Sequence, residues 1–306
     1  MYHITIRPDT FGIDEKFANQ NPYLSANSTK VNRKLAMEQH RCVVKHLTRN
    51  VNYVVEKTSD CIPDIVFIAN GGLSLPRLPE PVMILPWMKF EQRRNELKYL
   101  REIYDDLHIK TIEFPGSLHA PYEGVAESKW FNNGELLIMG YGYRSTKETV
   151  HKMRTLLNDI YTSYGVQPPR IISFPLQSFH YYHLDIAMLS TSESECIIHK
   201  DAIKPKDLAR LKLHLGTVHL LDCDDKFCLN AIIDGENIIT HKLVHRETKD
   251  TLEAMTGKSV IECDVSEFEK AGGGVRCMVI DVYDPRLIKR KRGGSSCSSP
   301  SASSPK

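Results

Sequence analysis

The sequence predicts an α/β fold assembled from repeated β-β-α-β modules, and three observations predict it. Five stretches carry apolar residues at helical spacing, and they recur at intervals of roughly 40 to 60 residues. Short β-rich runs lie between them. No Pro-, Gly- or Ser-rich linker interrupts residues 1–285, so these modules are expected to form one domain, with 286–306 as a separate tail.

The first helix is expected over 29–48, with Val31, Leu35, Val43 and Leu47 on one face and Ser28 as its cap. The next covers 91–107 (Leu97, Leu100, Ile103, Leu107), and the third 146–164 (Val150, Met153, Leu157, Ile160). Two shorter helices are expected at 205–214 and 247–257. Strands are expected at 62–69, 82–85, 111–114, 135–139, 170–174, 196–199, 217–221, 231–240 and 259–263. Within the run 231–240, Asp234-Gly235 signals a hairpin turn. Gly140-Tyr141-Gly142-Tyr143-Arg144-Ser145 superficially resembles a dinucleotide loop but lacks its last glycine, and reads as a tight turn before the third helix.

At 306 residues the chain is long enough for a sizeable core. The opening Met1-Tyr2-His3-Ile4-Thr5-Ile6-Arg7-Pro8 has no apolar leader region, and no run of eighteen apolar residues occurs. A cytoplasmic protein without a membrane span is therefore expected. The eight cysteines are scattered with no CxxC pair, which suits free thiols in a reducing compartment. Cys223, Cys228, His180 and His183 do not match a common zinc spacing, so neither metal nor cofactor is expected. The net charge of +2 conceals six cations in the tail, which leave residues 1–285 at −4. Nothing on that folded part reads as a nucleic-acid footprint. The tail, with Lys289-Arg290-Lys291-Arg292 before a Ser/Pro run, is expected to be disordered and solvated. Homo-oligomerisation is left open.

Two segments carry chemistry. Ala271-Gly272-Gly273-Gly274-Val275-Arg276-Cys277 delivers a thiol beside a permissive backbone, and strand alternation would put Cys277 on one face with Val275 and Val279. The run His183-Leu184-Asp185-Ile186 also reads as a strand, with His183 and Asp185 sharing a face. An imidazole beside a carboxylate suits proton transfer near neutral pH, and a thiol needs such a partner to become a nucleophile.

Together with Asn21-Pro22-Tyr23, Phe67-Ile68-Ala69-Asn70-Gly71-Gly72-Leu73, Arg93-Arg94-Asn95-Glu96, Tyr122-Glu123-Gly124 and Gly140 to Ser145, these segments stand in an ordered set covering about 15–285. The set resembles the guanidine-modifying (pentein) superfamily of arginine deiminases, dimethylarginine dimethylaminohydrolases and amidinotransferases. Its details most resemble the arginine dihydrolase branch. The resemblance implies a five-bladed α/β propeller with an axial site and a small guanidino compound as substrate. It implies that Cys277 attacks the guanidinium carbon, that His183 acts as acid and base, and that Glu123 orients His183. Asp185, Asn70 and Asn21 would hold the guanidinium, and Arg144 and Arg93 its α-carboxylate. Arginine would be converted to ornithine, ammonia and CO2. Deiminase, dimethylarginine hydrolase and amidinotransferase activities are the enzymatic alternatives, and a binding protein that has lost turnover is the non-enzymatic one. One departure stands out: the superfamily's Glu-Gly-x-Gly-Asp reads Glu123-Gly124-Val125-Ala126-Glu127 here, which makes Glu127 a longer stand-in for a substrate-side carboxylate.

Overall fold

A parallel strand pair needs a crossover, and this chain supplies a helix for each one. The computed structural model describes residues 1–13, 20, 22–24, 30–55 and 62–287. Strand β1 (Tyr2–Ile6) runs through α1 (Arg33–Val44) to its parallel partner β2 (Asn50–Tyr53). In the second module β3 (Leu73–Ser74) and β4 (Val82–Leu85) pair antiparallel. Helices α2 (Glu91–Arg94) and α3 (Glu96–Asp106) then lead to β5 (Lys110–Glu113), parallel to β4. The third repeats this with β6 (Ser128–Phe131), β7 (Leu136–Tyr141), α4 (Lys147–Ser163) and β8 (Arg170–Pro175). The one-turn helix α5 (Leu184–Ala187) opens the fourth, followed by β9 (Met188–Ser190), β10 (Glu195–His199), α6 (Pro205–Lys212) and β11 (Thr217–Leu221). The fifth contains β12 (Ile232–Asp234), β13 (Asn237–His241), α7 (Arg246–Thr256) and β14 (Ser259–Cys263). After α8 (Ser266–Glu269), β15 (Ile280–Val282) returns to pair antiparallel with β1, placing Tyr2 opposite Val282.

Each of the five three-stranded sheets therefore has the same order: an antiparallel neighbour, a central strand, a parallel neighbour. The antiparallel neighbours, β3, β6, β9, β12 and β15, are called inner strands below. Tertiary burial, not propensity, holds the helices. Leu100, Ile103 and Tyr104 of α3 and Val150, Met153, Leu157 and Tyr161 of α4 join one apolar cluster with the β4 residues Val82 to Leu85.

Several expectations need correction. The apolar run 62–69 is not a strand: it makes turns and enters a 3₁₀ turn at Ile68–Gly71. Ile62, Ile65, Val66 and Ile68 are buried in the core all the same, and burial without a ladder gives the same apolar run. The helix expected at 91–107 divides at Asn95 into α2 and α3. Helix α1 is capped by Asn32, whose side chain accepts from the Leu35 N–H at 3.2 Å. Ser28, Asn21 and the tail beyond 287 lie outside the described residues. No helix among the described residues is long and apolar enough to cross a membrane.

One buried ion cluster ties the fifth module together. His241 at the end of β13 lies 2.8 Å from Asp225 and 2.7 Å from Glu269. Burial opposes its charge, but the two carboxylates prevail and push its pKa up to about 9. A folded pKa above the unfolded value of about 6.5 gives stability that is complete below that pH and is lost as pH rises through about 9. Urea unfolding is expected to show ~3 kcal/mol less stability at pH 9.5 than at pH 6, and His241→Gln is expected to flatten that slope. An equal slope in the variant would show the cluster does not control it.

Candidate active site

Each inner strand is entered through a short turn, and each turn carries a polar side chain. Asn70 lies in the 3₁₀ turn before β3, Glu123 just before the one at Gly124–Ala126 that leads to β6, and His183 and Asp185 at α5 before β9. Asn230 stands two residues before β12, and Cys277 sits in the 3₁₀ turn Arg276–Met278 before β15. The turns before β3, β6 and β15 pack on one another, and α5 packs on the one before β6. Five modules thus deliver their polar residues to one region.

The local geometry corrects the strand reading of both chemical segments. His183 is the residue preceding one helical turn, and Cys277 lies within one. Residues two apart do not share a helix face as they would in a strand. His183 instead reaches Glu123, while Asp185 reaches the sulfur. His183 Nε2 lies 2.8 Å from Glu123 Oε2, and Cys277 Sγ lies 3.7 Å from Asp185 Oδ2. His183 and Cys277 both line one small cavity of about 30 Å³, with Asn70, Arg93, Arg144 and Tyr182 also in its wall.

Glu123 is fully buried and accepts from Arg144 Nη1 at 3.0 Å and the Lys89 backbone N–H at 3.1 Å. Burial alone would raise its pKa, but Arg144 and His183 outweigh it and hold the carboxyl well below the usual range. It is a fixed anion. His183, by contrast, is pushed down by burial against the pull of Glu123, so its neutral, proton-accepting form is favoured. Glu127 stands behind this pair, with Oε1 3.7 Å from His183 Nε2 and Oε2 accepting from Ser145 Oγ at 3.0 Å. Burial and then the Glu123 charge push its carboxyl well up from the usual range, which favours its protonated form.

The thiol of Cys277 is pushed up by burial and by the Asp185 charge. Its protonated form is therefore favoured in this pocket. Asn230, which carried no motif in the sequence, holds this turn. Its Oδ1 accepts from the backbone N–H groups of Arg276 at 3.0 Å and Cys277 at 3.3 Å, and its Nδ2 donates to Cys277 Sγ at 3.2 Å. A signal did exist, because Asn230 occupies the place in its module that Cys277 occupies in the next.

The glycine run has two separate reasons. Gly272 takes φ +80°, and its carbonyl accepts from Tyr182 Oη. At Gly274 a Cβ would fall 2.7 Å from Asn230 Oδ1. Gly274→Ala is therefore expected to displace Asn230 and lower kcat by about a hundredfold with little change in KM, checked by steady-state kinetics. An unchanged kcat would detach Asn230 from the chemistry.

The arginines are engaged. Arg93 makes a bidentate ion pair with Glu96 at 2.8 and 2.9 Å and donates to Asn70 Oδ1 at 2.9 Å. It orients Asn70, whose Nδ2 is buried without a partner. Arg144 lies between the Phe90 and Tyr182 rings, 4.7 Å from each centroid, while pairing with Glu123. Asp185 keeps one buried oxygen, Oδ1, without a partner. The residues among those described that bring three metal-ligating atoms within 4.8 Å of one another are Cys42, His46 and Cys263, none of which lines this cavity. His183 is committed to Glu123, while Cys223 lies 3.5 Å from Cys228 and 3.9 Å from His199.

Comparisons with known proteins identify the fold and the family. A family described as N,N dimethylarginine dimethylhydrolase, eukaryotic, matches residues 7–284. The bifunctional arginine dihydrolase/ornithine cyclodeaminase ArgZ of Synechocystis is 25% identical over 284 residues, which are 92% of this chain and 37% of that protein. AgrE of Nostoc, described in the same terms, is 23% identical over 280 residues, again 37% of its length. The chain thus spans little more than a third of these relatives. The substrate-bound N-terminal domain of ArgZ has the same fold, with a TM-score of 0.76 at 23% identity, covering 92% of this chain and 98% of that one. A dimethylarginine dimethylaminohydrolase adduct gives a TM-score of 0.64 at 19% identity, covering 91% and 98%. With the match running through every module, the chain has the pentein fold and belongs to the eukaryotic N,N-dimethylarginine dimethylhydrolase family, whose members hydrolyse guanidino C–N bonds.

Proposed function

We propose that this chain hydrolyses the guanidino group of arginine, breaking both of its outer C–N bonds with two waters to release two ammonia and leave a carbamate on the chain nitrogen, which loses CO2 to give ornithine. One observation carries the reading: Cys277, in contact with Asp185, and His183, held by Glu123, line a single cavity whose wall also includes Asn70. An entering guanidinium supplies the positive charge that the buried thiol lacks, and Asp185 Oδ1 offers it an acceptor.

Neutral His183 takes the thiol proton, and the sulfur bonds to the guanidinium carbon while a C–N π pair moves onto nitrogen. His183 returns that proton to the departing nitrogen, so ammonia leaves and an amidino thioether stays on Cys277. Water then attacks the same carbon, giving its proton to His183, and the C–S bond breaks to regenerate the thiol. Glu123 holds the imidazole throughout and balances its transient charge. For the second bond, an amide at position 70 matters. Arg93 fixes Asn70 Oδ1, which leaves the Nδ2 donor for the ureido oxygen that the first hydrolysis creates. A carboxylate there would repel that oxygen.

A second reading, dimethylarginine as substrate, is favoured by the family match over residues 7–284. Mass spectrometry of products from arginine and from dimethylarginine separates the two. Ornithine with two equivalents of ammonia supports the first. Citrulline with dimethylamine supports the second, and citrulline with a single ammonia from arginine would exclude the two-bond reaction.

A further inference from the structure

A larger cavity lies on the other side of the Arg276–Met278 turn from the catalytic one. It measures about 510 Å³ and takes a residue from every inner strand: Ser74, Lys129, Ser190, Ile232 and Asp281. Arg276, next to the nucleophile in sequence, lines it as well. Cys277 faces one chamber and Arg276 the other, so the same turn serves both.

The charges in this chamber are unevenly paired. Asp281 is matched twice, by Arg276 Nη2 at 2.8 Å and by His3 Nδ1 at 2.8 Å. The Arg276 Nε is buried and has no hydrogen-bond partner. Lys129 is 8% exposed, and while its backbone joins the β6–β7 ladder, its ammonium makes no hydrogen bond or ion pair among the described residues. Burial, then Arg276, pushes its pKa down to about 8, against the opposing pull of Asp185, Asp281 and Cys277. An uncompensated buried ammonium is costly, and a cavity of this size on one side of it suits a ligand of opposite sign.

We infer that this axial cavity binds a small monocarboxylate, with the carboxylate seated between the Lys129 ammonium and the free Nε–H of Arg276. Asp281 in the wall and Glu193 at the exposed rim set the charge limit. They disfavour a polyanion while leaving a single negative charge well placed between the two donors. The assignment is independent of which guanidino compound is hydrolysed, because binding alone reads it out.

The test is calorimetry and thermal melting of the whole chain with acetate and lactate, against chloride at equal ionic strength and with phosphate as the polyanion. Wild type is expected to show a saturable rise in Tm and a measurable Kd for the monocarboxylates. Lys129→Met is expected to weaken that Kd at least about tenfold and, without ligand, to melt at or above wild type because a buried unpaired charge is gone. If that variant does not fold, Ser190→Phe decides by filling the chamber, and it should lose the response while keeping the wild-type melting curve. No response beyond chloride, a response to phosphate alone, or an undiminished response in either variant would overturn the assignment.

Discussion

Cys277→Ser is expected to lower turnover by about 10⁴-fold or more while the protein melts close to the wild-type temperature. The side chain is 4% exposed, and serine replaces sulfur with an oxygen of similar reach, so packing changes little. The chemistry changes greatly. The thiol is already hard to ionise in this pocket, because burial and Asp185 both oppose the thiolate. A hydroxyl starts several pH units further from ionisation, and the neutral imidazole of His183 cannot make up that gap. Rapid-quench measurement of the first turnover is the appropriate check, since it reads the bond-making step directly. A serine variant within a hundredfold of wild type would remove Cys277 as the nucleophile, and with it the covalent route.

Arg93→Ala carries the largest expected cost in stability, about 3–5 kcal/mol. Arg93 and Glu96 are 5% and 2% exposed, and their bidentate contact is the main compensation for burying both. Burial already pushes the Glu96 carboxyl up to about 7 with its partner present. Without the arginine, Glu96 must fold in its protonated form or remain an unpaired anion, and Asn70 Oδ1 loses its donor as well. Urea unfolding of Arg93→Ala, Glu96→Leu and Arg93→Met with Glu96→Leu closes the comparison. The double variant is expected to recover much of the loss, because two apolar side chains leave no orphaned charge. A single-variant loss under 1 kcal/mol would mean the pair is already relaxed by water.

What the sequence revealed followed periodicity. Strands β11 and β14 fall at 217–221 and 259–263 as expected, and α4 covers 147–163 within its expected span, with Thr146 capping it. Strands such as β3, two residues long, carry no pattern to read, and β6 reads Ser-Lys-Trp-Phe without clear alternation. The site was legible through ordered motifs, because pairs such as Glu123 and His183 are 60 residues apart and no local rule links them. Local rules even misplaced His183 and Asp185, since four residues of apolar-polar alternation fit a single helical turn as well as a strand. Asn230 and Lys129 were invisible for opposite reasons. Asn230 sits in a loop without a motif, and Lys129 looks like any polar residue of a strand until the inner strands are seen to surround it.

The pairing of β1 with β15 has a consequence for biogenesis. Tyr2 leaves the ribosome first among the residues that need Val282, and at roughly 5–20 residues per second the partner follows between a quarter of a minute and a minute later. Through that interval the first-made strand shows its hydrogen-bonding rim to the cell, an invitation to intermolecular pairing. Newly made chains would therefore depend on shielding of β1 until β15 arrives to latch it.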